Sequence, residues 1–118
     1  MSTESSNHAQ IIATSKAINT DWFASDITPS SAGTSVSTMF KHTLMIQCPT
    51  STVVNVQYVI DGSTVVMLLN NGTALVAGAV YFFDLLMPQN ITGYNIQHAT
   101  GTQNVTCIIS ETKTGWIG

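Results

Sequence analysis

The protein has 118 residues, of which 44% are hydrophobic and only 8% are charged, and its formal net charge is −3. A chain of this length forms one domain with one core. Its only basic residues, Lys16, Lys41 and Lys113, are scattered, which excludes the clustered basic surface that binds nucleic acid. No apolar run approaches the ~20 residues of a membrane-spanning helix, so no membrane partner is predicted. The shortage of charge indicates either a Ser/Thr/Asn-rich surface or a surface partly covered by other subunits, and we favour the second.

Residues 1–20 are predicted to form an extended N-terminal arm. The first ten residues are polar, and the stretch Ala9–Ile18 is compatible with one or two helical turns or with an extended arm. Residues 1–10 have neither the basic nor the apolar region of a secretory signal. We therefore expect the chain to be made in a cytoplasm and to stay there until it enters a larger assembly.

The predicted strands begin at two adjacent aromatic residues. Trp22–Ile27 is predicted as the first strand, and Pro29 ends it. A Ser/Thr/Gly-rich loop follows over 28–38. Met39 then begins a strand that Pro49 closes. Alternation gives this strand one apolar face with a single polar member: Phe40, His42, Leu44, Ile46 and Cys48.

The centre of the chain carries both strand and turn signals. Val54–Ile60 alternates with period two, and Asp61-Gly62 follows at once. An Asp-Gly pair between two β-branched runs predicts a two-residue hairpin, because a type I′ turn needs positive φ at both central residues. The partner strand is predicted over Thr64–Leu69.

One turn and three more strands complete the pattern. Asn70-Asn71-Gly72 predicts a turn, and Val80–Leu86 predicts an aromatic and aliphatic strand that Pro88 stops. Ile91–Ala99 and Asn104–Thr112 predict two final strands, joined by a link of hairpin length over 100–103. Their expected core-facing residues are Tyr94 and Ile96 on one strand and Val105, Cys107 and Ile109 on the other.

About ten residues separate successive turn signals, and no helical period is present. This pattern predicts an all-β fold, an antiparallel β-sandwich or jelly roll with an extended N-terminal arm. We expect the arm over 1–20 and a single β-sandwich domain over 21–118.

The histidines and acids form no recognisable reactive motif. His8, His42 and His98 lie in different predicted elements, without a Cys or carboxylate at metal-ligand spacing, so no metal site is predicted. Cys48 and Cys107 are expected to be separate, buried, reduced thiols. The sequence contains no nucleophile elbow. Asp26, Asp61 and Asp84 could in principle form carboxylate pairs, but Asp61 fits its turn better and Asp84 fits a strand edge or exit better. We expect no cofactor and no enzymatic activity.

Two segments carry a resemblance to a known class of proteins. NNGTALVAGAVYFFDLLMP, with the strands after it, and NTDWFASDITPSSAGT resemble small β-sandwich or jelly-roll virion proteins of tailed bacteriophages. This class includes capsid decoration subunits and tail or spike modules. The resemblance covers most of the chain, and the chain departs from it in carrying so little charge.

The resemblance implies a viral structural protein, made in the host cytoplasm and located in the virion. The favoured hypothesis is a decoration or cement subunit that binds the capsid exterior and stabilises the particle. Its partners would be the major capsid protein or another virion protein, and sister copies, with a trimer preferred. The alternative is a carbohydrate- or receptor-binding module of a phage tail or spike, with Tyr94, Trp22 or Trp116 as an aromatic platform. The apolar residues predicted to lie at an interface are Trp22, Phe23, Trp116 and Ile117.

Overall fold

The computed structural model describes residues 2–30, 38–87 and 91–115, with side chains over 7–30, 40–87 and 91–112. Strands are the main elements of this part of the chain: β1 (Ser2–Lys16), β2 (Thr38–Gln47), β3 (Val54–Ile60), β4 (Ser63–Leu68), β5 (Val80–Leu86), β6 (Ile91–His98) and β7 (Gln103–Gly115). A four-residue 3₁₀ turn, Leu69–Gly72, follows β4. No helix among the described residues is long and apolar enough to span a bilayer.

The strands form two antiparallel sheets. One sheet has the order β1-β7-β2-β5, and the other has the order β4-β3-β6. The core lies between them and contains the apolar faces predicted for β2, β6 and β7. The fold is therefore an all-β antiparallel sandwich, as the sequence predicts.

The hairpin of β3 and β4 confirms the prediction from Asp61-Gly62. Both residues have positive φ, 51° and 79° respectively, as the turn chemistry requires. A Cβ at position 62 would meet no heavy atom within 4 Å, so the turn needs glycine for its backbone conformation and not for space. The predicted break at Asn70-Asn71-Gly72 is also present, with three successive residues at positive φ.

The N-terminal residues are extended, which is one of the two alternatives predicted for them. Residues 2–16 form an edge strand that pairs with β7 from Ser2↔Gly115 to Lys16↔Gln103. Two register shifts interrupt the pairing, between Asn7 and Ala9 and between Ile11 and Thr14. The arm is thus hydrogen-bonded to the larger sheet, and the division of the chain at residue 20 stays a prediction.

Two predictions are wrong. Trp22–Ile27 is a series of bends with one isolated bridge, Ile27↔Tyr94, and not a regular strand. The link over 100–103 is not a hairpin, because β6 and β7 belong to different sheets. The link connects one sheet to the other. Loop length predicts a short connection but does not specify which sheet the next strand joins.

Candidate functional site

A cluster of three polar side chains joins three neighbouring strands of the larger sheet. His8 comes from β1, His42 from β2 and Glu111 from β7. One ring nitrogen of each histidine and one carboxylate oxygen of Glu111 all lie within 4.8 Å of one another. His42 and Glu111 are directly opposite each other in the β2–β7 register, so their side chains point to the same face. His8 sits at the first register shift of β1, and such a bulge re-aims a side chain. The sequence predicts no such cluster.

The carboxylate of Glu111 is the centre of this cluster. It is 5% exposed and accepts hydrogen bonds from the Ser30 amide at 2.9 Å, from the Ser30 hydroxyl and from Nε2 of His42 at 2.8 Å. Burial by itself raises the pKa of Glu111, but the hydrogen bonds from Ser30 and His42 outweigh it and hold the pKa below its ordinary value. Glu111 is therefore a buried, ionised carboxylate.

His42 lies between two partners and is completely buried. Burial lowers its pKa, and the hydrogen bond to Glu111 only partly opposes this, so the imidazole is neutral. A carboxylate can only accept, so Nε2 carries the proton and donates to Glu111. Nδ1 then accepts from the hydroxyl of Tyr94, 2.6 Å away.

His8 completes the cluster from the edge strand. Its side chain is 20% exposed, and its Nε2 donates to the backbone carbonyl of Thr28 at 2.7 Å. Its Nδ1 lies 3.8 Å from Oε2 of Glu111. The His8 and His42 rings are 4.8 Å apart at their centroids. Of the described side chains, only these three satisfy the geometry of a possible metal-ligand set.

A second polar arrangement covers the outer edge of β6. The irregular segment 19–27 donates backbone N–H groups to β6, from Asn19 to the His98 carbonyl, from Trp22 to the Ile96 carbonyl and from Ile27 to the Tyr94 carbonyl. The edge of the smaller sheet is therefore paired although the segment is not a strand. Gly93 permits this approach, since a Cβ there would lie 3.0 Å from the Cβ of Asp26.

Two buried side chains of β6 fix the same segment. The Asn95 amide accepts from the backbone N–H of Phe23 at 3.1 Å and donates to the Phe23 carbonyl at 3.0 Å. Nε1–H of Trp22 donates to Nδ1 of His98 at 2.9 Å, and Nε2–H of His98 donates to the Gly101 carbonyl at 2.7 Å. An indole only donates and a carbonyl only accepts, so Nδ1 of His98 is the acceptor and Nε2 is the donor in these contacts.

The predicted interface residues fall into two groups. Trp22 is 0% exposed and Phe23 is 8% exposed, because both pack into the protein's own core. Their apolar side chains pack within the chain, and their role at an interface stays a prediction. Trp116 and Ile117 lie outside the described residues. Tyr94, considered as part of a glycan platform, is also completely buried.

The opposite side of the sandwich exposes apolar residues. Here β4 and β5 are the edge strands of the two sheets, and no described strand pairs with their outer edges. Every residue of β4 is exposed. The exposed large apolar side chains of the two strands are Val65, Val66, Met67 and Leu68 on β4 and Val80, Phe82 and Leu86 on β5. We call these two edges and their exposed side chains the β4–β5 side.

The two edges of the β4–β5 side flank a groove. Val65 and Met67 are opposite Tyr58 and Val56, which are core residues, so they point to the inner face of their sheet and yet remain exposed. β4 thus extends beyond the cover of the other sheet. The groove measures about 280 Å³ and is lined by Met67, Leu68, Leu69, Phe83 and Leu85, with Asn70, Asn71 and Asp84.

Both thiols behave as the sequence predicts. Cys48 and Cys107 are free and buried, and burial raises the pKa of the Cys48 thiol to about 11.

Asp84, interpreted from the sequence as an edge residue, lies exposed on edge strand β5, where it accepts from the Thr43 hydroxyl at 2.6 Å.

Comparison with known proteins identifies the fold but no family. The sequence matches none of the described protein families, and no curated protein matches it. The structure resembles the tobacco streak virus coat protein, solved as a dimer, with a TM-score of 0.55 and 7% identity over 97% of this chain and 84% of the coat protein.

Weaker similarities extend to other solved structures. The VP2 subviral particle of infectious bursal disease virus gives a TM-score of 0.45 at 16% identity, over 95% of this chain and 31% of that one. A protein of Bacillus endospore appendages, which form disulfide-linked pili, gives a TM-score of 0.43 at 11% identity, over 98% of this chain and 88% of that one. Only the first score supports a shared overall fold, and this chain therefore has a β-sandwich fold similar to that of a viral coat protein.

Proposed function

We propose that this chain is a structural protein of a virus particle, specifically a bacteriophage decoration or cement subunit that binds the capsid exterior and associates with sister copies. The observation that carries the proposal is the β4–β5 side, where two adjacent sheet edges lack a partner among the described strands and expose seven large apolar side chains. The coat-protein-like fold and the low charge support it.

The chemistry of these edges favours a protein partner. An unpaired edge strand offers a row of N–H and C=O groups to another chain, and natural monomers block such edges with lysine, proline, bulges or covering segments. β4 carries no charged residue, and β5 carries only Asp84. Pairing with another subunit would satisfy the edge and bury the apolar side chains at the same time. A closed symmetric oligomer, with a trimer preferred, would cover every copy equally.

The test compares charged variants on two sides of the sandwich. Val66→Lys on β4 and Phe82→Lys on β5 place a charge on the exposed edges, and Gln10→Lys places the same charge on an exposed position of β1. We expect the wild type and Gln10→Lys to form oligomers at tens of micromolar in sedimentation velocity and to co-sediment with undecorated particles. Both β4–β5 variants should lose both properties. A wild type that is monomeric and does not bind particles contradicts the proposal.

A polar groove supports the alternative of a glycan- or receptor-binding module. It measures about 190 Å³, and its polar lining includes Asp21, Asp26, Gln57, Asn95 and Gln97. Carboxylates accept hydrogen bonds from sugar hydroxyls, and amide side chains both donate and accept. Of the three aromatic residues considered for a platform, Trp22 and Tyr94 are buried and Trp116 lies outside the described residues. Binding on a glycan array that is lost in Asp26→Ala would favour this function over particle binding.

A further inference from the structure

We infer that His8, His42 and Glu111 form a binding site for a divalent transition-metal cation, best suited to Zn²⁺. Two imidazoles and a carboxylate are a known three-residue zinc ligand set, with the fourth position open. Zinc bonds of about 2.0–2.1 Å in tetrahedral geometry place the donor atoms roughly 3.3 Å apart. Here Glu111 Oε2 lies 2.8 Å from His42 Nε2 and 3.8 Å from His8 Nδ1, which brackets that separation. The three ligand atoms all lie within 4.8 Å of one another, so a bound cation would draw them closer together.

The hydrogen bonds around His8 prepare it as a ligand. Its Nε2 donates to the Thr28 carbonyl, which leaves Nδ1 turned towards the Glu111 carboxylate. A cation held between this ring nitrogen and the carboxylate would attract both. A backbone carbonyl on the distant nitrogen is also the usual support of a metal-bound histidine.

His42 can bind the cation without gaining or losing a proton. Its Nε2–H now donates to Glu111, and its Nδ1 accepts from the Tyr94 hydroxyl. A hydroxyl can reverse its role, so the proton can occupy Nδ1 and donate to the Tyr94 oxygen, which frees the Nε2 lone pair for the cation. Glu111 is oriented by Ser30, which donates to both carboxylate oxygens. Each of the three ligands thus has its own supporting partner.

The bound cation would connect β1 to the rest of the sandwich. His8 lies on the edge strand, whereas His42 and Glu111 lie on β2 and β7 inside the same sheet. Zinc should therefore slow the separation of residues 2–16 from β7. This inference does not depend on particle binding, because every residue in it belongs to one chain.

The test uses the isolated full chain, stripped with EDTA and then titrated with Zn²⁺. Isothermal titration calorimetry should give a stoichiometry of one zinc ion per chain. His8→Ala should raise the dissociation constant for zinc at least tenfold. Glu111→Gln, which keeps the shape of the side chain but removes its charge, should do the same. Gln10→Ala, an exposed change on the same strand, is the matched control and should bind like the wild type.

Limited proteolysis provides a second readout that depends on the position of His8. Trypsin has one site before β2, at Lys16, and cleavage there releases β1. Zinc should slow this cleavage several-fold in the wild type and in Gln10→Ala, and leave it unchanged in His8→Ala. The inference is overturned if the wild type binds no stoichiometric zinc, or if His8→Ala and Glu111→Gln fold and bind zinc as tightly as the wild type.

Discussion

The sheet edges on the two sides of the sandwich differ in whether anything interrupts or covers them. On one side, edge strand β1 is interrupted by two register shifts, and the edge of β6 is covered by segment 19–27. On the other, β4 and β5 are regular strands whose edges meet no described strand and whose exposed faces are largely apolar. Bulges and covering segments prevent edge pairing, and within the described ranges they occur at the edges of β1 and β6 and not at those of β4 and β5.

The side with the edges of β1 and β6, which we call the covered side, also contains the buried polar side chains. The Glu111 cluster and the Trp22–His98 pair both tie residues before β2 to the sheets. Every fully buried side-chain N or O atom among the described residues has a hydrogen-bond partner. Satisfied buried polar groups specify one arrangement, because any other leaves a desolvated group without a partner. One side of the sandwich therefore stabilises the chain, and the other is the side that we propose to take part in assembly.

The largest expected loss of stability comes from a substitution on the covered side. Trp22→Ala removes a completely buried indole and leaves Nδ1 of His98 without its donor. We expect a loss of about 3–5 kcal/mol in the free energy of unfolding, measured by urea denaturation. Phe82→Ala on the β4–β5 side is the control, since Phe82 is 69% exposed, and should change stability by less than about 0.5 kcal/mol. Equal losses in the two variants would remove the distinction between the sides.

The next effect is at the tip of the β3–β4 hairpin. Gly62→Val places a β-branched residue at φ 79°, so we expect destabilisation by about 1–2 kcal/mol. Gly62→Asn is the control, because asparagine tolerates this region, and should cost less. A Cβ meets nothing nearby, so an unchanged melting temperature in Gly62→Val would mean that the turn relaxes without strain.

The smallest effect concerns the core that both sides share. Burial raises the pKa of Cys48 to about 11 and that of Tyr58 to about 12, so both stay neutral in the folded state while the unfolded chain ionises at lower pH. This contribution to stability is present below pH 9, the ordinary value for the thiol, and is lost as the pH rises towards 11. Between pH 8 and 10 we expect Cys48 to account for a loss of about 1 kcal/mol in the free energy of unfolding. Cys48→Ala should show a shallower decline, and identical slopes would contradict the assignment.

The local elements follow from the sequence because their signals are local. Asp61-Gly62 predicts the hairpin through its backbone preferences, and period-two alternation predicts the buried faces of β2 and β7. The same alternation placed His42 on an apolar face, and Glu111 continues the face of Val105, Cys107 and Ile109. A polar residue in register with core residues is the one sequence signal that could have indicated the cluster.

The sequence by itself determined the all-β class, the hairpin, the strand faces and the two free thiols, since each depends on neighbours along the chain. The tertiary structure alone decided that residues 2–16 join the sheet, that 19–27 covers β6 instead of forming a strand, and that the chain crosses between sheets after His98. It also decided the contact of His8 with Glu111, which are 103 positions apart (111 − 8). Strand order and register bring such residues together, and both are set by the burial of whole faces and the pairing of distant edges, which no short stretch of sequence encodes.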